Sequence, residues 1–575
     1  MKNLKLYIIS CLVAAFCVSC EGLLDFEAQI STTEEDVVKS YESTMQRAIG
    51  LYSFLPDGLS YIDGAIMASA SDEAEHTLET SAIHKFNTGA WNAVDNPDNA
   101  WERNFKGIYA ANLFLATADS VDLEYLRLDP SDAQQAKYEA YMGNIKQWKY
   151  EARFLRAFYY FELVKRYGGL PVLTKPYNSN TGFPQVERNS LDSCMNFIVS
   201  ECDSAALHLP DKSEDSDFGR ANKAAAMLLK SRVLLYAASD FFNDPSWAAG
   251  YAYPELISLS QDAKTREDRW KDAAAAANEI IKIRLSLGRN ISSGYQEIFS
   301  AFTNQEIILA RRYIASNSFE KANYPIGYDL GNSGATPTQD LVDAYEMIDG
   351  SDFDWNNPEH AANPYANRDP RLTFSILTNN TVFKGRPVEL WTGGKDGKGV
   401  SRASKTGYYL LKYVNPDLNL LQNYTSVHSW IIMRYSEVIL NYAEAMNEAY
   451  GPNNNNGNQY TARQAVNLIR RRGSVRIPEL PAAITQAELK EKIRNERRVD
   501  FAFEDHRLWD LRRWMTAPDV LNKPVRGVEI TKTGEDAFEY KTVVVENRIF
   551  LPNMYLYPIP QSDINLTGWE QNPGW

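Results

Sequence analysis

The stretch Phe154-Leu-Arg-Ala157-Phe158-Tyr-Tyr-Phe161-Glu-Leu163-Val164-Lys-Arg-Tyr-Gly168-Gly169-Leu-Pro171 decides the fold. Phe154, Ala157, Phe158, Phe161 and Val164 recur at the three-and-four spacing of a helix, while Leu155, Tyr159 and Leu163 make a second stripe. A helix that is apolar on two sides must lie between neighbours. Gly168-Gly169 closes it and Pro171 follows, the expected C-terminal punctuation. The same periodicity predicts helices over 37–54, 100–118, 191–207, 221–239, 270–283, 432–449 and 462–472. Ala157 and Phe161 reproduce the Ala-x3-Phe element of a tetratricopeptide helix pair, in which small residues let helices approach closely. The fold class is therefore mainly α, tetratricopeptide-like helix pairs interrupted by long irregular insertions at 55–99, 243–269 and 288–430. Loops held on such a scaffold are where binding concentrates.

Outward from this core, the N-terminus reads as an export signal. Lys2 and Lys5 precede an apolar run from Leu6 to Val18, which leads into Ser19 and Cys20. That run is too short to span a bilayer, which takes about 20 apolar residues. A cysteine at the cut site is what a bacterial lipoprotein acylates, so Cys20 is the predicted lipid attachment, with Cys17 standing where a lipobox usually has Leu. The predicted division is a signal at 1–19, then regions 20–240 and 241–575 packed as one unit. A net charge of −14 disfavours a broad electrostatic grip on nucleic acid or anionic lipid. Beyond the lipobox only Cys194 and Cys202 remain, roughly 12 Å apart along one predicted helix and too far for a disulfide.

Chemistry-bearing motifs argue against catalysis. Glu496, Asp500 and Glu504 fall at successive four-residue steps on a helix predicted to open at the Thr485-x-x-Glu488 capping box and run to about Trp514. Paired carboxylates can hydrolyse glycosides, but a general acid needs a raised pKa, and the neighbouring arginines should push these down. They read as a structural ion-pair network, so no enzyme is predicted. Histidines 76, 84, 208, 360, 428 and 506 show no metal-ligand spacing. Asp352-x-Asp354-x-Asn356 begins like a calcium loop but has Asn357 at the turn glycine and Asn363 at the bidentate glutamate. No cofactor is expected, with a structural calcium ion at this stretch as the alternative.

Binding is better supported. Ser71-Asp72-Glu73-Ala-Glu75-His76 is followed by Phe86-Asn-Thr-Gly-Ala-Trp91-Asn92, which sets carboxylates beside a tryptophan in loop backbone. A sugar site uses a π-face for the ring's C–H side and acceptors for its hydroxyls. Trp91, Asp72, Asn92 and Glu75 are the candidates, with Tyr324, Trp355, Trp391 and Tyr365 of the long insertion added. The alternative, that Trp91 packs into the core, stays open. So does a peptide or protein cargo in place of an oligosaccharide.

Ordered segments then carry a resemblance. They are Glu151-Ala-Arg-Phe154 through Gly169, Gly219-Arg-Ala-Asn-Lys-Ala224, Arg368-Asp-Pro-Arg-Leu372, Thr406-Gly-Tyr-Tyr409 and Arg434-Tyr-Ser-Glu-Val438. Glu496-Arg-Arg-Val499 through His506-Arg-Leu-Trp-Asp-Leu-Arg-Arg-Trp514, Leu556-Tyr-Pro-Ile-Pro560 and Gln571-Asn-Pro-Gly574 complete the series. In these the chain resembles the SusD/RagB family of nutrient-binding outer-membrane lipoproteins. The resemblance implies a SusD-like α-α superhelix of four tetratricopeptide-like pairs and a lipid-anchored place on the outer surface of the outer membrane. It also implies a SusC-like TonB-dependent transporter as partner, and sugar contacts from Trp91, Asp72 and Asn92. Asp500 stands where the family commonly has Glu.

Overall fold

The five alanines at 273–277 sit mid-way along helix Arg266–Ser286, and Ala273, Ala274 and Ala277 are buried. Such small residues let it pack closely between Lys223–Ala238 on one side and Tyr435–Tyr450 on the other. The row extends outward: Leu191–Ala206 packs on Lys223–Ala238, while Tyr435–Tyr450 also meets Ala462–Arg470 and Gln486–Asp500. Helices adjacent in this row are mostly consecutive in sequence, as a helical-pair scaffold requires, although the long insertion separates two of them. Their starts are fixed locally. Ser190, Asn222 and Thr265 each accept a backbone N–H at the N-cap, and Thr461 and Thr485 close full capping boxes with Gln464 and Glu488.

This computed structural model describes residues 34–177, 186–211, 218–301 and 303–575. The predicted lipobox at Cys20 lies outside them. Two compact units are present. The described part of the smaller comprises 34–47 and 117–145, where Tyr41 stacks on Tyr141 and accepts a hydrogen bond from Asn144 at 2.7 Å. The larger comprises 48–116 and 146–575, and the predicted junction at 240 lies inside it.

Three predicted boundaries are corrected. The helix ending at Gly168 begins at Asp132 and spans Asp132–Tyr167. Ser429–Arg434 is not the first turn of a helix but a strand, antiparallel to Ile307–Arg312; helix Tyr435–Tyr450 starts after it. The helix expected to reach Trp514 breaks into Gln486–Asp500 and Arg507–Arg513, with Phe503 (φ 63°) and Asp505 (φ 61°) in left-handed conformation between them. Gly168 itself is left-handed (φ 75°), and a Cβ there would lie 2.4 Å from the Leu256 carbonyl oxygen.

The predicted ion-pair network is present, with altered membership. Asp500 lies 2.7 Å from Arg434 and 3.3 Å from Arg371. Glu504, carried on the break rather than the helix, pairs with Lys412 at 2.6 Å and Arg434 at 2.7 Å. Burial opposes the charge on Asp500, but Arg434, Arg472 and Arg371 outweigh it and hold the carboxyl well below its usual range. Glu496 departs from expectation: burial raises its pKa despite Arg371 at 2.5 Å and Arg470 at 3.3 Å. Cys194 and Cys202 are free, buried thiols.

Candidate functional site

The segment 71–76 enters the interior because it is a strand partner. Ala74–His76 pairs antiparallel with Ala335–Pro337, which places Glu75 opposite Thr336. The Glu75 side chain is wholly buried and accepts a hydrogen bond from the Thr336 hydroxyl at 3.0 Å. Burial raises its pKa, partly offset by Lys405. Asp72 is also buried. It accepts hydrogen bonds from Arg498 at 2.6 Å and from Arg507 at 2.8 and 2.9 Å. Burial works against its charge, but those two guanidinium groups hold the carboxyl well below the ordinary range.

Trp91 is corrected from platform to core. It is 3% exposed, and its ring meets Trp575, Tyr557 and Phe86 at centroid distances of 4.7, 5.0 and 5.1 Å. With those three rings against it, no sugar can stack there. Asn92 is exposed, but its side-chain oxygen accepts the backbone N–H groups of Val94 and Asp95, so it shapes the loop. Tyr324 is fully buried and donates to the Leu418 carbonyl at 3.1 Å. The other three rings are half-buried. Trp355 donates its indole N–H to Asp343 at 3.0 Å. Trp391 and Tyr365 meet Phe538 and Tyr540, two residues apart and so on one face of strand Phe538–Glu546. In the calcium-like stretch, Asp352 pairs with Lys492 at 2.9 Å and Asp354 accepts the Asn356 backbone N–H. Among the described residues, no group of three or more His, Cys, Asp or Glu is arranged to hold a metal ion.

None of the eight predicted residues lines the open aromatic cleft that the structure does contain. This cleft, of about 710 Å³, lies directly beyond Asn92. One wall is helix Ala100–Thr117, whose Trp101, Phe105 and Tyr109 fall at four-residue steps and therefore on one face. Exposure increases along this stripe: Trp101 is buried, Phe105 half-buried and Tyr109 exposed. Trp101 packs against Phe105 at 4.8 Å, and Tyr109 meets Tyr177 edge-on at 5.3 Å. Loop residues Asn96 and Asn99 and the C-terminal Pro558, Pro560, Ser562 and Asp563 also line it.

Charge in the cleft is mostly compensated. Asp98 receives Arg166 at 2.9 Å, and Glu102 pairs with Lys106 at 2.6 Å. Asp98 also accepts the Ala100 N–H at 3.0 Å, which anchors the loop to the helix start. Asp563 forms no ion pair among the described residues; its one side-chain partner is the Ser562 hydroxyl at 3.1 Å. Rings with open edges, two amides and hydroxyl groups suit a neutral polyhydroxylated ligand. In sequence, the Trp101-Phe105-Tyr109 spacing cannot be told from a core stripe.

Residues 305–575 match the SusD family, and residues 24–235 match a family described as starch-binding and associating with the outer membrane. SusD-like protein P25 of Formosa agariphila is 22% identical over 539 residues, covering 88% of this chain and 89% of that protein. A SusD-like protein of Bacteroides fragilis superposes with a TM-score of 0.74 at 26% identity, covering 94% of this chain and 99% of its own. A SusD-like carbohydrate-binding protein of the same organism gives 0.72 at 25% identity, covering 92% and 99%.

Proposed function

This chain belongs to the SusD/RagB family, and from that premise we propose that it is a non-catalytic glycan-binding protein of the outer membrane whose binding surface is the Trp101-Phe105-Tyr109 cleft. The observation that carries the reading is the graded aromatic stripe, which offers ring faces and edges to a ligand from a rigid helix. The carbohydrate-binding relative at 25% identity and the starch-binding description of the N-terminal match support the ligand class. Among the described residues Asp98 is held by the buried Arg166, and the lining Lys106 is shared with Glu102, so neutral oligosaccharides fit the cleft best. Glu496, Asp500 and Glu504 are committed to the buried Arg371 and Arg434, which supports a ligand held without being cleaved. Acylation at Cys20 would tether the protein, and transfer of the captured glycan to a TonB-dependent transporter is the step that follows.

Calorimetry against a panel of neutral oligosaccharides tests this. Phe105→Ala with Tyr109→Ala is expected to weaken binding about tenfold or more, equivalent to about 1.4 kcal/mol, with the melting temperature little changed. Undiminished affinity in the double variant would remove the cleft from the proposal, and new reducing ends after incubation would overturn the non-catalytic reading. Co-purification of a TonB-dependent transporter with the acylated chain tests the delivery step.

A further inference from the structure

A second cavity, of about 340 Å³, has the opposite electrostatic character. Arg498, Arg507, Lys523, Arg526 and Arg548 line it. Three carboxylates share the lining, Asp72, Asp340 and Asp343. Asp72 is divided between Arg498 and Arg507, whereas Asp340 and Asp343 both hold Arg526, at 2.6 and 3.0 Å. Arg548 is fully committed: it donates to Glu546 and to the Ser71 and Ala74 carbonyls. Even with Glu546 set against Arg548, cations remain in excess, in a chain whose net charge is −14.

Donors remain uncommitted as well. Arg498 donates through Nη2, Arg507 through Nε and Nη2, and Arg526 through Nε and Nη2. Among the described residues the Nη1 group of each donates no hydrogen bond, and none of the three is among the polar atoms sealed from solvent. The exposed Lys523 likewise has no acidic partner. Guanidinium groups with one edge held by carboxylates and another open are pre-ordered for an oxyanion, since little side-chain freedom remains to be lost on binding.

We infer that this cavity is a second, anion-recognising site, which takes a carboxylate or sulfate group through Nη1 of Arg498, Arg507 and Arg526 with Lys523 at its mouth. Such a group could arrive as a free inorganic ion or as the acidic substituent of a sugar. The site is independent of the aromatic cleft, whose lining residues are all different.

Titration at constant ionic strength with sulfate, glucuronate and, as control, glucose tests the inference. Sulfate or glucuronate is expected to bind at millimolar concentration, and glucose to give no signal at this site. Lys523→Gln with Arg526→Gln should weaken that binding about tenfold. Both side chains are solvent-accessible, so folding should survive, and a retained melting temperature verifies it. Tighter binding of glucuronate than of sulfate identifies a sugar acid as the ligand; the reverse order identifies a free anion. Absence of binding by both anions, or equal binding by the double variant, overturns the inference. The Phe105→Ala, Tyr109→Ala variant should retain anion binding in full, which separates the fate of this site from that of the glycan cleft.

Discussion

Glu73 shows how one buried acid sets a pH response. It is 1% exposed, and one of its oxygens has no hydrogen-bond partner among the described residues. Burial first, and then the neighbouring charge of Asp72, pushes its carboxyl up to about 8 from 4.5. The folded chain therefore keeps a proton that the unfolded chain releases, and this contribution to stability is present at low pH and lost as pH rises from about 4.5 through about 8. In Glu73→Gln that loss should vanish. Relative to the unmodified chain, the variant should gain thermal stability between pH 5 and pH 9, by at most a few kcal/mol on the scale of about 1.4 kcal/mol per pKa unit. A difference in melting temperature that stays constant across this range would show that Glu73 is not the titrating group. The same burial explains why Trp91 misled a reading by residue type. Tryptophan suits sugar stacking and core packing equally well, and its neighbours decide between them, two of which, Tyr557 and Trp575, come from the far end of the chain.

At the scale of elements, legibility followed periodicity. Leu191–Ala206 and Ala100–Thr117 were readable to within a residue or two because buried positions recur every three or four residues; Lys223–Ala238, buried on nearly all sides, was readable from its run of strong helix formers. The first half of Asp132–Tyr167 was not, because residues 132–150 are mostly exposed and polar, and their narrow stripe of Tyr138, Tyr141, Ile145 and Trp148 is buried only at its last two members. Ser429–Arg434 was missed for the opposite reason. A short, continuously apolar run has no period that separates strand from helix, and its strand character comes from pairing with Ile307–Arg312. The break at 501–506 depends on left-handed backbone at Phe503 and Asp505, which no local residue preference announces. Helix Gln486–Asp500, by contrast, has its start written in sequence. The Thr485 hydroxyl accepts the Glu488 N–H at 3.2 Å while the Glu488 carboxylate accepts the Thr485 N–H at 2.8 Å. Thr485→Ala should cost about 1 kcal/mol in chemical denaturation, and Thr485→Ser much less.

At the scale of the larger unit, buried ion pairs join segments that are distant in sequence. Asp500 lies beside Arg371 of the long insertion and Arg434 of a strand, and the electrostatic pull of Arg472 at the end of another helix reaches it too. Removing one partner of such a cluster leaves the others buried without compensation, at a cost of about 3–5 kcal/mol. Asp500→Asn should accordingly lower the melting temperature by several degrees, whereas Asp500→Glu should be far milder. An Asn variant as stable as the parent would mean that water rather than the carboxylate balances these arginines. The Asp72 clamp joins still more remote parts, since 426 residues separate it from Arg498 and 435 from Arg507. A nascent chain emerging N-terminus first must therefore hold its early segment unfinished until Arg498, 77 residues from the end, has been delivered. Closing so long a loop adds little to the equilibrium cost, which grows only with the logarithm of length, but it postpones completion. A copy truncated before Arg498 would lack both guanidinium partners of Asp72 and leave that buried carboxylate without compensation.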